Sequence, residues 1–293
     1  MASPGSTCGI CAPTVPFPRE KATCPCHGAP RETKLALCAS LPSNPCSIPP
    51  YTMARQDGRA FDQTREIKFE RGFPSHAPGS VVSCFGETRV LCTASWSDSV
   101  PRWMKGKGKG WLTAEYAMLP SSTDRRKARD RAGKIDGRSV EIQRLIGRSL
   151  RAAMDFDLLG ERTIMVDCDV LKADGGTRTA AISGAYVAVY DCLMAMGNKR
   201  LLRAFPMTTQ LGAVSVGVVG GEVVCDLPYA EDSIAEVDMN LVMTGEGEFI
   251  EVQGSAEGAT FSRQQLDGML AVGETGINHI FALQKAALEG VTA

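Results

Sequence analysis

Histidine is scarce in this chain, which contains only His27, His76 and His279 among its 293 residues. The sequence also lacks a P-loop, a His-Glu-x-x-His motif and a Gly-x-Ser-x-Gly motif. These absences argue against P-loop nucleotide-binding enzymes, zinc hydrolases with that motif and serine hydrolases of that type. A mechanism centred on histidine is therefore not expected.

The chain has almost no net charge and no long apolar run. It contains 32 Lys and Arg residues and 33 Asp and Glu residues, which give a formal net charge of −1. Bulk charge therefore gives no reason to expect RNA, and any affinity for nucleic acid must come from local basic segments. No apolar run approaches the roughly 18 residues that are needed to span a bilayer, so a membrane protein is not expected. The 44% hydrophobic and 22% charged composition is typical of a globular domain.

Residues 1–52 differ in composition from everything that follows. They are rich in Pro, Ser and Cys, contain only Phe17 and Tyr51 as aromatic residues, and have no sustained periodicity. Such a segment cannot bury enough apolar surface to offset the entropy cost of ordering it. The sequence therefore predicts a disordered extension over residues 1–52 and one folded domain over residues 53–293.

Three other interpretations of this extension remain open. Cys8-x-x-Cys11 followed by Cys24-x-Cys26-His27 offers zinc ligands, although the spacing matches no zinc ribbon or finger. The segment could also be a targeting peptide, but it has neither the Arg-rich amphipathic helix nor the apolar region that such peptides contain. The interpretation that we favour is that the biological start is Met53 and that the extension is a gene-model artefact.

Five of the 11 cysteines lie in the body of the chain, within segments that read as strands or apolar helices: Cys84, Cys92, Cys168, Cys192 and Cys225. They follow no pairing pattern. We predict that they are reduced and buried, as in a cytoplasmic protein.

The hydrophobic pattern of the body predicts a mixed α/β domain. Alternation predicts strands, which include two hairpins across the Gly86-Glu87 and Gly220-Gly221 turns. The predicted strands are 64–70, 80–85, 89–94, 111–119, 163–171, 211–219, 222–227, 238–243 and 248–253. Apolar residues at helical spacing from Ile142 to Ala153 predict an amphipathic helix. Two more helices are predicted over residues 179–196 and 264–288, and such helices cover the faces of sheets.

Two short motifs at predicted helix starts could bind an anion. Gly175-Gly176-Thr177-Arg178 lies between a strand and a helix, where backbone N–H groups and the Thr177 hydroxyl can donate to an anion. Arg138 lies at the start of the amphipathic helix, where a guanidinium can bind a phosphate bidentately. Taken alone, the glycine motif is more typical of an ordinary strand-to-helix turn, and Arg138 is more typical of a solvated arginine.

An acidic run follows the second hairpin, and it contains Asp226, Glu231, Asp232, Glu236 and Asp238. Paired carboxylates near a phosphate site can hold a divalent cation or act as general acid to a leaving oxygen. A solvated acidic loop has the same pattern.

The loop 124–134 has six basic residues, among them Arg125, Arg126 and Arg129, against two acidic residues. It has no apolar anchor, which suits a mobile segment that contacts RNA phosphates. A solvated charged face would have the same composition.

Taken together, these segments resemble the ribonuclease PH family from about Arg55 to Leu288. The matching blocks follow one another along the chain. They are Arg55-x-Asp57-Gly58-Arg59-x-x-Asp62-Gln63-x-Arg65, residues 72–79, residues 88–95, residues 105–120 with Gly-Lys-Gly-Lys-Gly-Trp and Thr-Ala-Glu-Tyr, Gly137-Arg138, residues 141–146, Asp167-Cys168-Asp169-Val170-Leu171, residues 173–179, Cys225-Asp226-Leu227, Glu231-Asp232-Ser233, Asp238-Met239-Asn240 and residues 251–258.

The resemblance implies a phosphate-dependent 3′-to-5′ exoribonuclease that shortens tRNA precursors and other structured RNA such as rRNA, releasing nucleoside diphosphates reversibly. It implies a two-layered α/β fold, of the ribosomal protein S5 domain 2-like type, that assembles as a homohexameric ring, a trimer of dimers. It also implies roles for individual residues. Inorganic phosphate is the co-substrate, bound by Arg138, Gly176, Thr177 and Arg178; the catalytic carboxylates are Asp232 and Asp238, which act as general acid or as ligands of Mg²⁺; and tRNA is bound by Arg125, Arg126 and Arg129.

Two related functions remain as alternatives. One is a ring subunit in general RNA decay, similar to those of the exosome or of polynucleotide phosphorylase, and the single repeat without an added RNA-binding domain argues against it. The other is a catalytically inactive subunit that threads RNA. That alternative requires the loss of Arg138, Arg178, Asp232 or Asp238, and all four are present.

We predict that residues 1–52 are dispensable, because the resemblance begins near Met53 and the segment has no apolar pattern. A protein that starts at Met53 should form the same ring and degrade RNA at a similar rate. Native mass spectrometry and a phosphorolysis assay on both forms test this. A truncated form that dissociates, or a full-length form that retains stoichiometric zinc, would contradict the prediction.

Overall fold

A computed structural model describes residues 55, 57–129, 136–258 and 260–290 of the chain. The predicted disorder of residues 1–52, the alternative zinc site and part of the basic loop lie outside the described residues. The described residues belong to one compact unit.

The first sheet has five strands in the order β1-β2-β3-β5-β4. The strands are β1 (Ile67–Arg71), β2 (Gly79–Phe85), β3 (Thr88–Ser97), β4 (Trp111–Met118) and β5 (Thr163–Lys172). Neighbouring strands are antiparallel except β4 and β5, which are parallel. Because β4 and β5 run in the same direction, their carboxyl ends meet at one edge of the sheet.

The second sheet has four antiparallel strands in the order β7-β6-β8-β9. The strands are β6 (Leu211–Val219), β7 (Glu222–Cys225), β8 (Val237–Thr244) and β9 (Phe249–Ala256). Strand β6 is buried along its whole length, whereas the edge strand β9 is largely exposed.

Five helices complete the described fold: α1 (Gly137–Ala152), α2 (Phe156–Leu159), α3 (Thr177–Asn198), α4 (Tyr229–Asp232) and α5 (Arg263–Glu289). Helix α1 packs on β4, α3 packs on β2 and β3 and also on β6, and α5 packs on β6, β7 and β1. One continuous apolar core therefore joins both sheets. The prediction of a mixed α/β domain is confirmed.

Each long element forms where the pattern predicts it, but the ends differ. The predicted strand 222–227 ends at Cys225, because Asp226 turns the chain in a left-handed conformation with φ of 52°. The sequence did not predict α2 and α4, since a helix of one turn is too short to display an apolar period.

Helix α3 is the one described helix that is long and apolar enough to pass a length and composition test for a membrane span. An 18-residue stretch of this helix has a mean hydropathy of 1.4, and 72% of that stretch is buried inside the protein. Such burial is typical of a core helix. The five body cysteines are free and buried, as predicted.

Candidate active site

A cleft of about 960 Å³ opens at the carboxyl ends of β4 and β5. Helices α1 and α3 begin at this cleft, and α4 ends there. Five residues predicted from the sequence line it: Arg125, Arg138, Gly176, Thr177 and Asp232. The fold therefore brings together groups that lie more than 100 positions apart in the sequence.

The segment from Asp174 to Thr177, here called the phosphate loop, connects β5 to α3. Gly175 and Gly176 have φ values of 71° and 62°, which glycine adopts without strain. No described side chain caps α3 at Gly176, so the N–H groups of its first turn remain available to an anion. Thr88 holds the loop in place, donating to the Gly175 carbonyl at 2.7 Å and accepting from the Asp174 N–H at 2.9 Å.

The Thr177 hydroxyl is held by a buried tyrosine. Tyr116 donates its phenolic hydrogen to Thr177 Oγ1 at 2.9 Å. Burial raises the pKa of Tyr116, so the phenol stays protonated and remains a donor. The Thr177 oxygen accepts this hydrogen bond through a lone pair. The hydroxyl hydrogen of Thr177 is therefore free to be donated into the cleft.

Arg138 lies in the first turn of α1, whose N-cap is Asp136. The Asp136 carboxylate accepts the Arg138 N–H at 3.2 Å and also pairs with Lys127 at 2.5 Å. The Arg138 side chain is exposed and lines the cleft. Its guanidinium is therefore open to an incoming anion, although its contact with phosphate would not be a buried one.

Arg178 is held beside the cleft and is not among the residues that line it. Its guanidinium donates to Glu141 Oε1 at 3.2 Å and to Gln253 Oε1 at 3.0 Å. Gln253 also donates to Glu141 at 3.3 Å, which closes the network. Arg178 therefore has a fixed orientation, and its charge acts on the carboxylates of the site.

Asp232 ends α4 and Asp238 lies near the start of β8, and both are half-buried. Burial raises the pKa of Asp232, whereas the charges of Arg138 and Arg178 oppose that shift. Burial and the charge of Asp232 raise the pKa of Asp238. Each carboxyl group therefore keeps its proton to higher pH than an exposed aspartate does. The effect of the Asp232 charge on Asp238 also indicates that the two predicted carboxylates are close together.

The basic loop lies at the rim of this cleft. Arg125 and Lys127 line the cleft, while Arg126 and Arg129 are exposed but do not line it. The residues 130–134 of the predicted loop are not described. All three predicted arginines are thus open to a large ligand at the rim.

Sequence reasoning did not identify five residues that shape the site: Thr88, Tyr116, Glu141, Gln253 and Glu257. Glu257 raises the pKa of both Asp232 and Asp238 through its negative charge. Tyr116 lies on the buried face of β4, and the alternating pattern of this strand could have predicted a buried tyrosine hydroxyl there. The others are identified only by contacts between distant segments.

Two family profiles match this chain. Domain 1 of the 3′ exoribonuclease family matches residues 63–195, and domain 2 matches residues 209–276. Domain 1 covers the first sheet with α1 and most of α3, and domain 2 covers the second sheet with half of α5. The fold is thus that of the 3′ exoribonuclease class.

Similarity to a relative narrows the class. A ribonuclease PH from Corynebacterium glutamicum (strain R) is 55% identical over 238 residues, which are 81% of this chain and 97% of the relative. The chain belongs to the ribonuclease PH family.

Solved structures share the fold at lower identity. A chain of the Archaeoglobus fulgidus exosome, solved with RNA bound to the active site, has a TM-score of 0.66 and 21% identity. That match covers 79% of this chain and 92% of the other. Rice Rrp46 has a TM-score of 0.65 and 20% identity, covering 80% of this chain and 100% of the other.

Proposed function

We propose that this protein is a phosphate-dependent 3′-to-5′ exoribonuclease that trims tRNA precursors and releases nucleoside diphosphates. The observation that carries the proposal is the pairing, in one cleft, of an anion site with a carboxylate. Arg138 and the uncapped start of α3 form the anion site, and Asp232 lines the same cleft. Membership of the ribonuclease PH family supports inorganic phosphate as the anion and RNA as the second substrate.

The anion site binds and orients the nucleophile. The phosphate loop offers N–H groups and the Thr177 hydroxyl, and Arg138, which lines the same cleft, supplies a positive charge. These donors screen the repulsion between inorganic phosphate and the terminal phosphodiester of RNA. A phosphate oxygen then forms a bond to that phosphorus, and the bond from phosphorus to the 3′ oxygen of the shortened RNA breaks.

The leaving 3′ oxygen needs a proton. Asp232 is suited to supply it, since its raised pKa keeps a proton on the carboxyl group above the usual range of aspartate. The products are a nucleoside diphosphate and RNA with a free 3′ hydroxyl. One phosphorus–oxygen bond replaces another, so the concentration of phosphate sets the direction.

Binding of Mg²⁺ is the second role that we propose for the carboxylates of Asp232 and Asp238. The described residues contain no group of three or more His, Cys, Asp or Glu residues that could hold a metal ion. Magnesium in phosphoryl-transfer sites is bound by one or two carboxylates together with substrate phosphates, so Asp232 and Asp238 would be sufficient ligands. Bound there, the ion would neutralise negative charge on the phosphate oxygens.

We further propose that the protein acts in the cytoplasm as a homohexameric ring. Family resemblance supports the ring, and the free, buried cysteines support a reducing compartment.

The test of the function uses a short RNA labelled at its 5′ end, incubated with and without inorganic phosphate. We expect the RNA to shorten from its 3′ end only when phosphate is present. Shortening at an equal rate without phosphate would mean hydrolysis, and no shortening in either case would favour the inactive RNA-threading alternative.

We predict that the rim arginines act on structured RNA. Replacing Arg125, Arg126 and Arg129 together by Ala should weaken tRNA binding and reduce the salt dependence of log K by about one unit for each lost phosphate contact. Phosphorolysis of a short unstructured RNA should change less. Binding isotherms at several salt concentrations measure the slope.

A matched control removes the same charge elsewhere. Lys105, Lys107 and Lys109 are exposed and lie before β4, at the end of the sheet opposite the cleft. Their triple Ala variant should bind tRNA nearly as wild type does. Equal losses in the two triple variants, or equal losses on tRNA and on short RNA, would refute a tRNA-specific role for the rim.

A further inference from the structure

The two loops that carry the proposed chemistry are packed directly on each other. The phosphate loop touches the segment from Asp226 to Asp232, here called the acid loop, because it ends with Asp232. A Cβ atom on Gly175 would lie 2.4 Å from the Leu227 carbonyl oxygen, so only glycine permits this approach. Asp174 Oδ1 also accepts the N–H of Tyr229 at 3.2 Å. The position of each loop therefore depends on the position of the other.

A single arginine joins the two loops. Arg65 donates from Nε and Nη2 to the two oxygens of Asp226, at 3.0 and 2.7 Å, and its backbone N–H donates to Oδ2 at 2.7 Å. The remaining arm of the guanidinium, Nη1, donates to the backbone carbonyl of Asp174. Arg65 thus binds the start of the acid loop and the start of the phosphate loop at once.

Asp226 is built into this contact at a conformational cost. It is 0% exposed and has φ of 52°, a left-handed conformation that residues other than glycine adopt rarely. Burial alone would raise its pKa, but the charge and hydrogen bonds of Arg65 bring the pKa below its usual value. Asp226 is therefore a carboxylate, paired with Arg65 at 2.7 Å and with Arg59 at 3.8 Å.

The far end of the acid loop is held in the same way. Arg55 donates to both oxygens of Glu231, at 3.1 and 2.7 Å, and Glu231 directly precedes Asp232. Arg55 also donates to the carbonyls of Cys225 and Asp226, at 2.7 and 2.9 Å. The acid loop is thus fixed at both ends by arginines that precede β1.

We propose that Arg65 and Asp226 are positioning residues that fix the distance between the phosphate loop and Asp232. Buried ion pairs contribute little net stability, because the cost of desolvation offsets their attraction, so the geometry that this pair imposes is its main effect. The inference rests on the proposed function, since it assigns the pair to the distance between bound phosphate and the leaving group. A misplacement of about 1 Å can lower a rate about 100-fold.

Arg65→Lys is the central variant. Lysine keeps a cation beside Asp226 but cannot donate to both loops, because it lacks the planar fork of arginine. We expect kcat on a short RNA to fall about 10- to 100-fold, and the KM for phosphate to rise, while the KM for RNA stays unchanged. A purely structural role would lower the amount of folded enzyme and leave both constants of the folded fraction unchanged.

Arg71→Lys is the matched control. Arg71 also forms a bidentate pair, with Asp191, and donates to the Ala287 carbonyl at 2.8 Å, so its surroundings resemble those of Arg65. It lies outside the cleft. We expect wild-type kcat and KM values in this variant, even if its melting temperature falls.

A double-mutant cycle tests whether Arg65 acts through Asp232. In an Asp232→Asn background, Arg65→Lys should lower the remaining kcat little further, because the group whose position matters is already absent. Independent, multiplicative effects would contradict the proposal. So would wild-type kcat and phosphate KM in the Arg65→Lys single variant.

A second variant applies if Arg65→Lys does not fold. Combining Arg65→Gln with Asp226→Asn removes both charges of the buried pair together, so neither is left buried without the other. We expect the same fall in kcat, together with a smaller rise in melting temperature on addition of phosphate. Unchanged kcat and an unchanged phosphate-induced shift in this folded variant would overturn the proposal. A wild-type enzyme that needs no phosphate would instead reject the proposed function, and the two failures are therefore distinguishable.

Discussion

Asp232→Asn should abolish phosphorolysis almost completely while leaving the fold and RNA binding intact. The amide keeps the volume of the carboxyl group but can neither give up a proton to the leaving oxygen nor bind Mg²⁺ as a carboxylate does. Loss of general acid catalysis alone lowers a rate about 100-fold or more. Single-turnover rates, with RNA affinity measured separately, test the expectation. Asp238→Asn should have a similar effect, because the family resemblance implies the same role for Asp238 and the charge of Asp232 raises its pKa.

Glu236→Gln is the matched control for these carboxylates. Glu236 belongs to the same acidic run but is exposed, and Oε1 accepts the N–H of Gly221 at 3.1 Å, a bond that glutamine retains. Its variant should keep wild-type activity. Near-normal turnover in Asp232→Asn and Asp238→Asn would remove both carboxylates from the mechanism.

Arg138→Ala should chiefly raise the phosphate concentration needed for half-maximal rate. Arg138 is the exposed cation that lines the cleft, and a charge-assisted hydrogen bond to phosphate contributes about 1.5–3 kcal/mol, or about 10- to 100-fold in phosphate affinity. The KM for RNA should change less. Initial rates over a range of phosphate concentrations measure the effect.

Arg144→Ala is the control for Arg138, because Arg144 lies on an exposed position of the same helix and does not line the cleft. It should leave phosphate dependence unchanged. If Arg138→Ala reduces only RNA affinity, at an unchanged phosphate requirement, then the assignment of the anion site is wrong. Arg178→Ala provides a second comparison, because the positive charge of Arg178, like that of Arg138, lowers the pKa of Asp232.

Much of the fold could be predicted because its signals are local. The apolar spacing of Ile142, Leu145 and Ile146 predicts α1, and all three side chains are buried. The two hairpins follow from glycine turns between alternating segments. A local pattern does not encode the pairing of Arg65 with Asp226, which are 161 positions apart, so the contact between the loops was not predicted.

The site was predicted mainly through family resemblance. The motif Gly175-Gly176-Thr177-Arg178 indicates an anion site only in combination with Arg138 and Asp232, and nothing in their spacing brings them together. The hydrogen-bond partners of Arg178 were not predicted either. Its partners Glu141 and Gln253 lie on α1 and β9, which meet only in the folded chain.

The transfer of labelled inorganic phosphate into the product tests the central claim most directly. Unlabelled RNA is incubated with phosphate that carries a radioactive phosphorus atom, and the released nucleotides are separated. Phosphorolysis predicts nucleoside diphosphates that carry the label in the β-phosphate, in proportion to the nucleotides released. Unlabelled nucleoside monophosphates, released at the same rate, would mean that water is the nucleophile and would contradict the account.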